Sequence, residues 1–143
     1  MINWKPPKSP HGLIQESLWP NEWKILVSCL LLNQTTRRQV DKVIDRLFRA
    51  YPEPNSMSKA NDKELKSIIT SLGMSNKRTK TLKRFSQEYL SKDWDMPIDL
   101  YGCGKYANDT WLIFCKGEWK STNPNDHALN NYHDYLNSLE GES

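Results

Sequence analysis

The sequence predicts an all-α fold, on three observations. No stretch shows the alternation of β-branched and polar residues that marks a half-buried strand. Apolar residues recur instead at helical spacing, most clearly Val40, Val43, Ile44, Leu47 and Phe48 at i, i+3, i+4, i+7 and i+8. Helix-starting and helix-stopping residues punctuate the chain between these runs, so that about seven helices can be marked out. A length of 143 residues suits one domain with one sizeable core.

The start, Met1 to Pro10, holds three prolines and two lysines and reads as an extended arm, leaving residues 11–143 as the helical domain. His11 to Trp19 forms a short helix in which Gln15 reads as a solvated polar residue. Asn21 is the N-cap of the next helix, and Glu22 complements its dipole. From Glu22 to Asn33 this helix is apolar nearly all round, which places it at the centre of the fold. It emerges into the polar run Asn33-Gln34-Thr35-Thr36, where Thr35 or Thr36 caps the helix of Val40 to Phe48. Tyr51-Pro52 ends that helix. After a loop, Ser58 or Asn61 starts a helix with Leu65, Ile68 and Ile69 inward, and Gly73 stops it. Met74 sits in the turn. Ser75 caps a helix to Leu90, with Leu82, Phe85 and Tyr89 on one face and Lys77, Arg78, Lys80, Lys83 and Arg84 as a basic cluster. The last helix opens at Asn123-Pro124-Asn125-Asp126-His127, with Asn123 or Asn125 as its cap and Asp126 in its first turn.

Lys and Arg number 20 against 17 Asp and Glu, a bias compatible with a nucleic-acid partner but too mild to establish one. The three cysteines, Cys29, Cys103 and Cys115, have neither metal nor redox spacing and read as reduced thiols; the histidines have no ligand spacing either, so no metal is expected. The longest apolar run, Ile25 to Leu32, is too short to span a bilayer, and no targeting signal is visible.

The stretch that bears on function is Leu100-Tyr101-Gly102-Cys103-Gly104-Lys105-Tyr106-Ala107-Asn108-Asp109. Gly102 and Gly104 can each take a positive φ or admit a second backbone closely. Lys105 to Phe114 contains neither Pro nor Gly and continues as a helix whose first amides are unpaired at the positive end of its dipole. That is an anion site, and a DNA phosphate is the obvious anion, although a plain helix-helix turn has the same appearance.

Taken together, the hairpin, the helix after it and the later Asp126 resemble the helix-hairpin-helix DNA glycosylase superfamily. The likeness is closer to the glycosylase domain of the mismatch thymine/uracil glycosylases that also carry a methyl-CpG-binding module. It runs through Ser9-Pro10 with Leu13-Ile14-Gln15-Glu16, Leu31-Leu32-Asn33 with Thr35, Phe85-Ser86 with Glu88-Tyr89-Leu90, the hairpin, Ile113-Phe114-Cys115, and Asp126-His127 with Leu129-Asn130 and Tyr132. The methyl-CpG-binding module itself is absent from these residues.

The resemblance implies a monofunctional DNA glycosylase of base excision repair, acting on thymine or uracil opposite guanine in duplex DNA. The base must be flipped out of the stack, and a carboxylate near C1′ then stabilises the cationic sugar and orients water. Asp126 matches the catalytic Asp, with Tyr106 counted beside it as a catalytic residue, and Gln15 and Tyr106 match residues of the base pocket. Gly102, Gly104 and Lys105 match the phosphate-binding hairpin, Met74 an apolar plug, and Gln34 the wedge that fills the vacated space. Tyr106 stands where strand-nicking relatives carry a Schiff-base lysine, and a phenol cannot form that adduct. The iron–sulfur cluster of other branches needs four C-terminal cysteines, and none follows Cys115, so no cofactor is expected. Gln34 replaces the usual Arg, and Ala128 replaces a Lys near the catalytic Asp. By resemblance the protein is nuclear and monomeric. The residues leave three alternatives open: another base specificity on the same scaffold, a helical module that binds DNA without catalysis, or a helical interaction protein whose basic cluster is a solvated face.

Overall fold

Residues 3–141 are described by a computed structural model. The described residues form eight α-helices: α1 Ile14–Leu18, α2 Glu22–Leu32, α3 Arg37–Ala50, α4 Pro54–Ser58, α5 Asp62–Ile69, α6 Ser75–Ser91, α7 Lys105–Phe114 and α8 His127–Gly141. Three single 3-10 turns, Thr70–Leu72, Pro97–Asp99 and Trp119–Ser121, join them, and there is no strand among the described residues. The all-α expectation therefore holds. The helix it missed is α4, only five residues long, which starts on Pro54 at its first position. So short a helix shows no periodicity to read, although proline is well suited to that position.

Helix α2 is the central element, with Trp23 and every residue from Ile25 to Leu31 buried. Asn21 caps it as expected, accepting from the Lys24 amide at 3.0 Å. Helices α1, α3, α6 and α7 lie against it, and α4 and α5 pack on α6. The apolar interior falls into two clusters. The larger joins α2, α3, α5 and α6 through Leu26, Leu31, Leu47, Leu65 and Phe85. The smaller gathers Leu13, Ile25, Ile113, Phe114, Leu129 and Tyr132 around α7 and α8. Tyr106, on the first turn of α7, packs against both, at the seam between them.

The remaining caps divide into those the sequence places correctly and those it does not. Thr36 caps α3 in a reciprocal box with Gln39, and Asn61 caps α5. Gly73 ends the 3-10 turn after α5 with φ of 78°. Ser75, however, is the first residue of α6; the cap position belongs to Met74, in left-handed backbone and with no side-chain bond. Nor do Asn123 or Asn125 cap α8. Asp126 does, its carboxylate accepting from the Leu129 amide at 3.0 Å while its own carbonyl accepts from Asn130. The helix starts one residue later than expected, and the acid lies at its cap instead of inside its first turn.

The N-terminal stretch is extended and bound to the body. Met1 and Ile2 of the expected arm lie outside the described residues. The Glu16 carboxylate accepts from the Ser9 amide and hydroxyl, each at 2.7 Å, and the Tyr132 hydroxyl donates to the Pro7 carbonyl at 2.6 Å. No helix among the described residues is long and apolar enough to cross a membrane.

Candidate nucleic-acid interface and base pocket

A cleft of about 410 Å³ opens between α2, the first turns of α6 and the hairpin that leads into α7. Met74, Gly102, Gly104, Lys105 and Tyr106 all line it, five residues that the sequence names from separate segments. Gln34 follows the cleft-lining Asn33. Gln15 and Asp126 are not part of the lining and meet the site through Tyr106.

The two hairpin glycines differ in kind. Gly102 takes φ of 83°, and a Cβ there would lie 2.7 Å from Thr81 Cγ2 and 3.3 Å from Leu30 Cδ2. Only glycine satisfies both restrictions. Gly104 is extended at φ −114° and ψ −157°, and a Cβ on it would meet nothing within 4 Å. Of the two possibilities read from the sequence, Gly102 takes the positive φ, whereas Gly104 is extended and leaves its Cα face open beside the start of α7. Gly104 supplies no side-chain cap, so the first amides of that helix face the opening without one.

Tyr106 organises the interior of the site. Gln15, only 1% exposed, donates from Nε2 to the Tyr106 hydroxyl at 2.9 Å. The reading of Gln15 as a solvated residue is therefore corrected. A five-residue helix carries no periodicity that could have shown which of its sides is buried. The Cys29 thiol lies against the Gln15, Thr110 and Ser28 side chains, and burial pushes it up to about 12. Burial, then the neighbouring Cys29 and Asp126, raises the Tyr106 phenol well above its ordinary value, so it remains protonated. Cys29, which the sequence marks only as a reduced thiol, belongs to this pocket.

Lys105 is bound within the protein. Its ammonium is paired with the carboxylate of Asp109, one helical turn on and 7% exposed, and donates to the Asn123 carbonyl at 2.7 Å. Asn130 Nδ2 holds the next carbonyl, Pro124, at 3.0 Å. The loop that delivers Asp126 is thereby fastened to α7 on one side and to α8 on the other.

Gln34 and Met74 share an unusual backbone. They take φ of 60° and 46°, and among the described residues they are the two with positive φ that are not glycine. Such a conformation costs a residue with a Cβ about 1–2 kcal/mol. Both tips are exposed, Met74 to 44%. Arg78, 6% exposed, braces the second tip by donating from Nε to the Gly73 carbonyl at 2.8 Å.

Comparison with known proteins bears on the family and the fold. The model of a family described as HhH-GPD superfamily base excision DNA repair protein matches residues 27–137. A methyl-CpG-binding domain protein 4-like protein of Arabidopsis thaliana is 44% identical over 133 residues, covering 93% of this chain and 30% of that one. A thymine/uracil-DNA glycosylase of Pyrobaculum aerophilum is 35% identical over 103 residues, covering 67% of this chain and 45% of that one. The chain thus spans less than half the length of these curated relatives. The solved structure of a thermostable thymine-DNA glycosylase superposes with a TM-score of 0.63 at 26% identity, over 68% of this chain and 48% of that one.

Proposed function

The chain belongs to the HhH-GPD superfamily of base excision DNA repair proteins, and from that premise we propose that it is a monofunctional DNA glycosylase releasing thymine or uracil paired with guanine. The observation that carries the reading is the convergence on Tyr106. One half-buried phenol joins Gln15, Cys29 and the neighbourhood of Asp126 at the edge of a cleft bounded by the hairpin. A structural turn alone would not need these groups together.

In the proposed mechanism a duplex backbone phosphate lies over the open face of Gly104 and the first amides of α7. Gln34 and Met74, on tips already held in left-handed backbone, enter the space left as the base swings out. The pyrimidine edge meets the Gln15 amide and the neutral Tyr106 phenol. The C1′–N1 bond breaks with its electron pair leaving on the base, which takes up a proton. The Asp126 carboxylate faces the cationic sugar and accepts a proton from the water whose oxygen forms the new bond at C1′. Tyr106 offers no amine, so no Schiff base forms and the strand is left intact. Lys105, expected from sequence to touch a phosphate, has its ammonium engaged with Asp109 and Asn123; we assign it to holding the Asp126 loop. Residues 1–10 serve as an arm on a helical domain of residues 11–143. On this reading the protein works as a monomer, without cofactor, on nuclear DNA.

Asp126→Asn tests the assignment. Asn and Asp are comparable helix caps, so the fold should survive with little change in Tm. Base release from a G·T or G·U duplex in single turnover should fall by several orders of magnitude while duplex affinity is kept. Near-normal release by the folded variant would remove Asp126 from the chemistry. Borohydride should trap no covalent adduct of the wild-type chain with substrate DNA; a stable adduct would refute the monofunctional reading.

A further inference from the structure

The basic cluster of α6 does not all face the cleft. Lys77 and Arg78 line it, whereas Lys80, Lys83 and Arg84 turn toward α5. There, with Lys63 and Lys66, they edge a second groove of about 610 Å³. Five cations meet one carboxylate in its lining, Asp62, which is paired with Lys83 at 2.6 Å. Lys63, Lys66 and Lys80 form no ion pair among the described residues. The groove includes Thr79, whose buried hydroxyl has no hydrogen-bond partner within the described protein.

Arg84 joins this groove to the hairpin. Its guanidinium stacks over the Tyr101 ring at 4.1 Å, and Tyr101 lines the cleft immediately before Gly102. The Glu88 carboxylate pairs with Arg84 at 3.1 Å and accepts from the Tyr101 amide at 2.9 Å, fixing the two elements to each other. An anionic chain gripped at the hairpin would therefore meet Arg84 next, and after it a row of unneutralised lysines.

We propose that the groove between α5 and α6 is a second backbone-binding track, which receives the phosphates of duplex DNA beyond those held at the hairpin. Charge complementarity and continuity with the cleft both select a polyanion laid along the surface over a small ligand. The groove does not read bases, because lysine ammoniums are point charges, suited to phosphates whatever the sequence. This inference rests on the reading that the chain binds duplex DNA and is independent of its chemistry.

The test measures affinity for a matched duplex across a series of salt concentrations. Each phosphate neutralised contributes about 0.9 to the slope of log K against log salt. Replacing Lys63, Lys66 and Lys80 together by Ala should lower the slope by up to about 2.7. Replacing all three by Arg should restore it, since charge is what matters. Lys80→Glu alone should weaken binding more at low salt than at high salt. An unchanged slope in the Ala variant, with circular dichroism as for wild type, would overturn the track and leave the groove a solvated face or a site for another partner. A slope that Arg fails to restore would overturn it equally. Wild-type protein that does not bind duplex DNA at all would instead sink the reading on which the track depends.

Discussion

Gly102 and Gly104 stand two residues apart in one hairpin, and the structure assigns them opposite failures on substitution. At Gly102 an added methyl meets two separate costs. Positive φ costs a residue with a Cβ about 1–2 kcal/mol. The contact at 2.7 Å with Thr81 Cγ2 is the second cost. Thr81 is β-branched and restricted at χ1, so it cannot swing away freely, and crowding of this kind costs about 1–3 kcal/mol. Gly102→Ala should therefore destabilise the fold by about 2–5 kcal/mol, equivalent to a fall in Tm of roughly 6–20 °C for a chain of this size. At Gly104 neither cost arises, because φ is −114° and the Cβ position is empty. Gly104→Val should keep its Tm yet weaken all duplexes alike, with or without a mismatch. Losing one charge-assisted bond from a backbone amide to a phosphate removes about 1.5–3 kcal/mol, or roughly 10- to 100-fold in affinity. The assay is thermal unfolding followed by circular dichroism, paired with duplex binding at fixed salt. A Gly104→Val variant that binds DNA as well as wild type would refute the phosphate reading of the hairpin. A Gly102→Ala variant as stable as wild type would refute the steric reasoning.

Two further substitutions separate other parts of the site. Gln34→Gly and Met74→Gly relieve left-handed backbone worth about 1–2 kcal/mol, against about 0.5–1 kcal/mol of added chain entropy. Each should unfold at the same temperature as wild type or slightly higher, yet release bases more slowly from a stable duplex than from single strands. Equal loss on both substrates would place these tips outside the insertion step. Lys105→Met removes the fastening of the Asp126 loop, so single-turnover release at saturating enzyme should slow while the salt slope of DNA binding stays unchanged. A slope lower by about 0.9 with normal release would make Lys105 a phosphate contact after all.

What could be read from the sequence follows from the range of the interactions involved. Asn21, Thr36 and Asn61 are legible as caps because each partner amide lies three residues away on the same segment. Asp126 is legible as a helix-start carboxylate for the same reason, and only its exact place at the cap was missed. The tether of Lys105 to Asn123 spans 18 residues, and the bond of Gln15 to Tyr106 spans 91. No local rule reaches either, and the resemblance to known glycosylases named Gln15 and Tyr106 without saying that they touch.

The two strained tips were hidden for a different reason. Sequence rules assign positive φ to glycine, with occasional Asn or Asp, so the resemblance could single out Gln34 and Met74 while nothing local signalled their left-handed backbone. Stability alone would favour glycine at both positions. What Gln34 and Met74 offer in return is a side chain: one polar and long, the other apolar and pliable, each carried on a loop tip beside a helix end. On these two tips an exposed side chain and a strained backbone occur together. Duplex insertion requires an exposed side chain, since space vacated by a flipped base must be filled from outside the protein surface. The strain therefore lies where local rules and function conflict, on the two residues that the proposed mechanism sends into DNA.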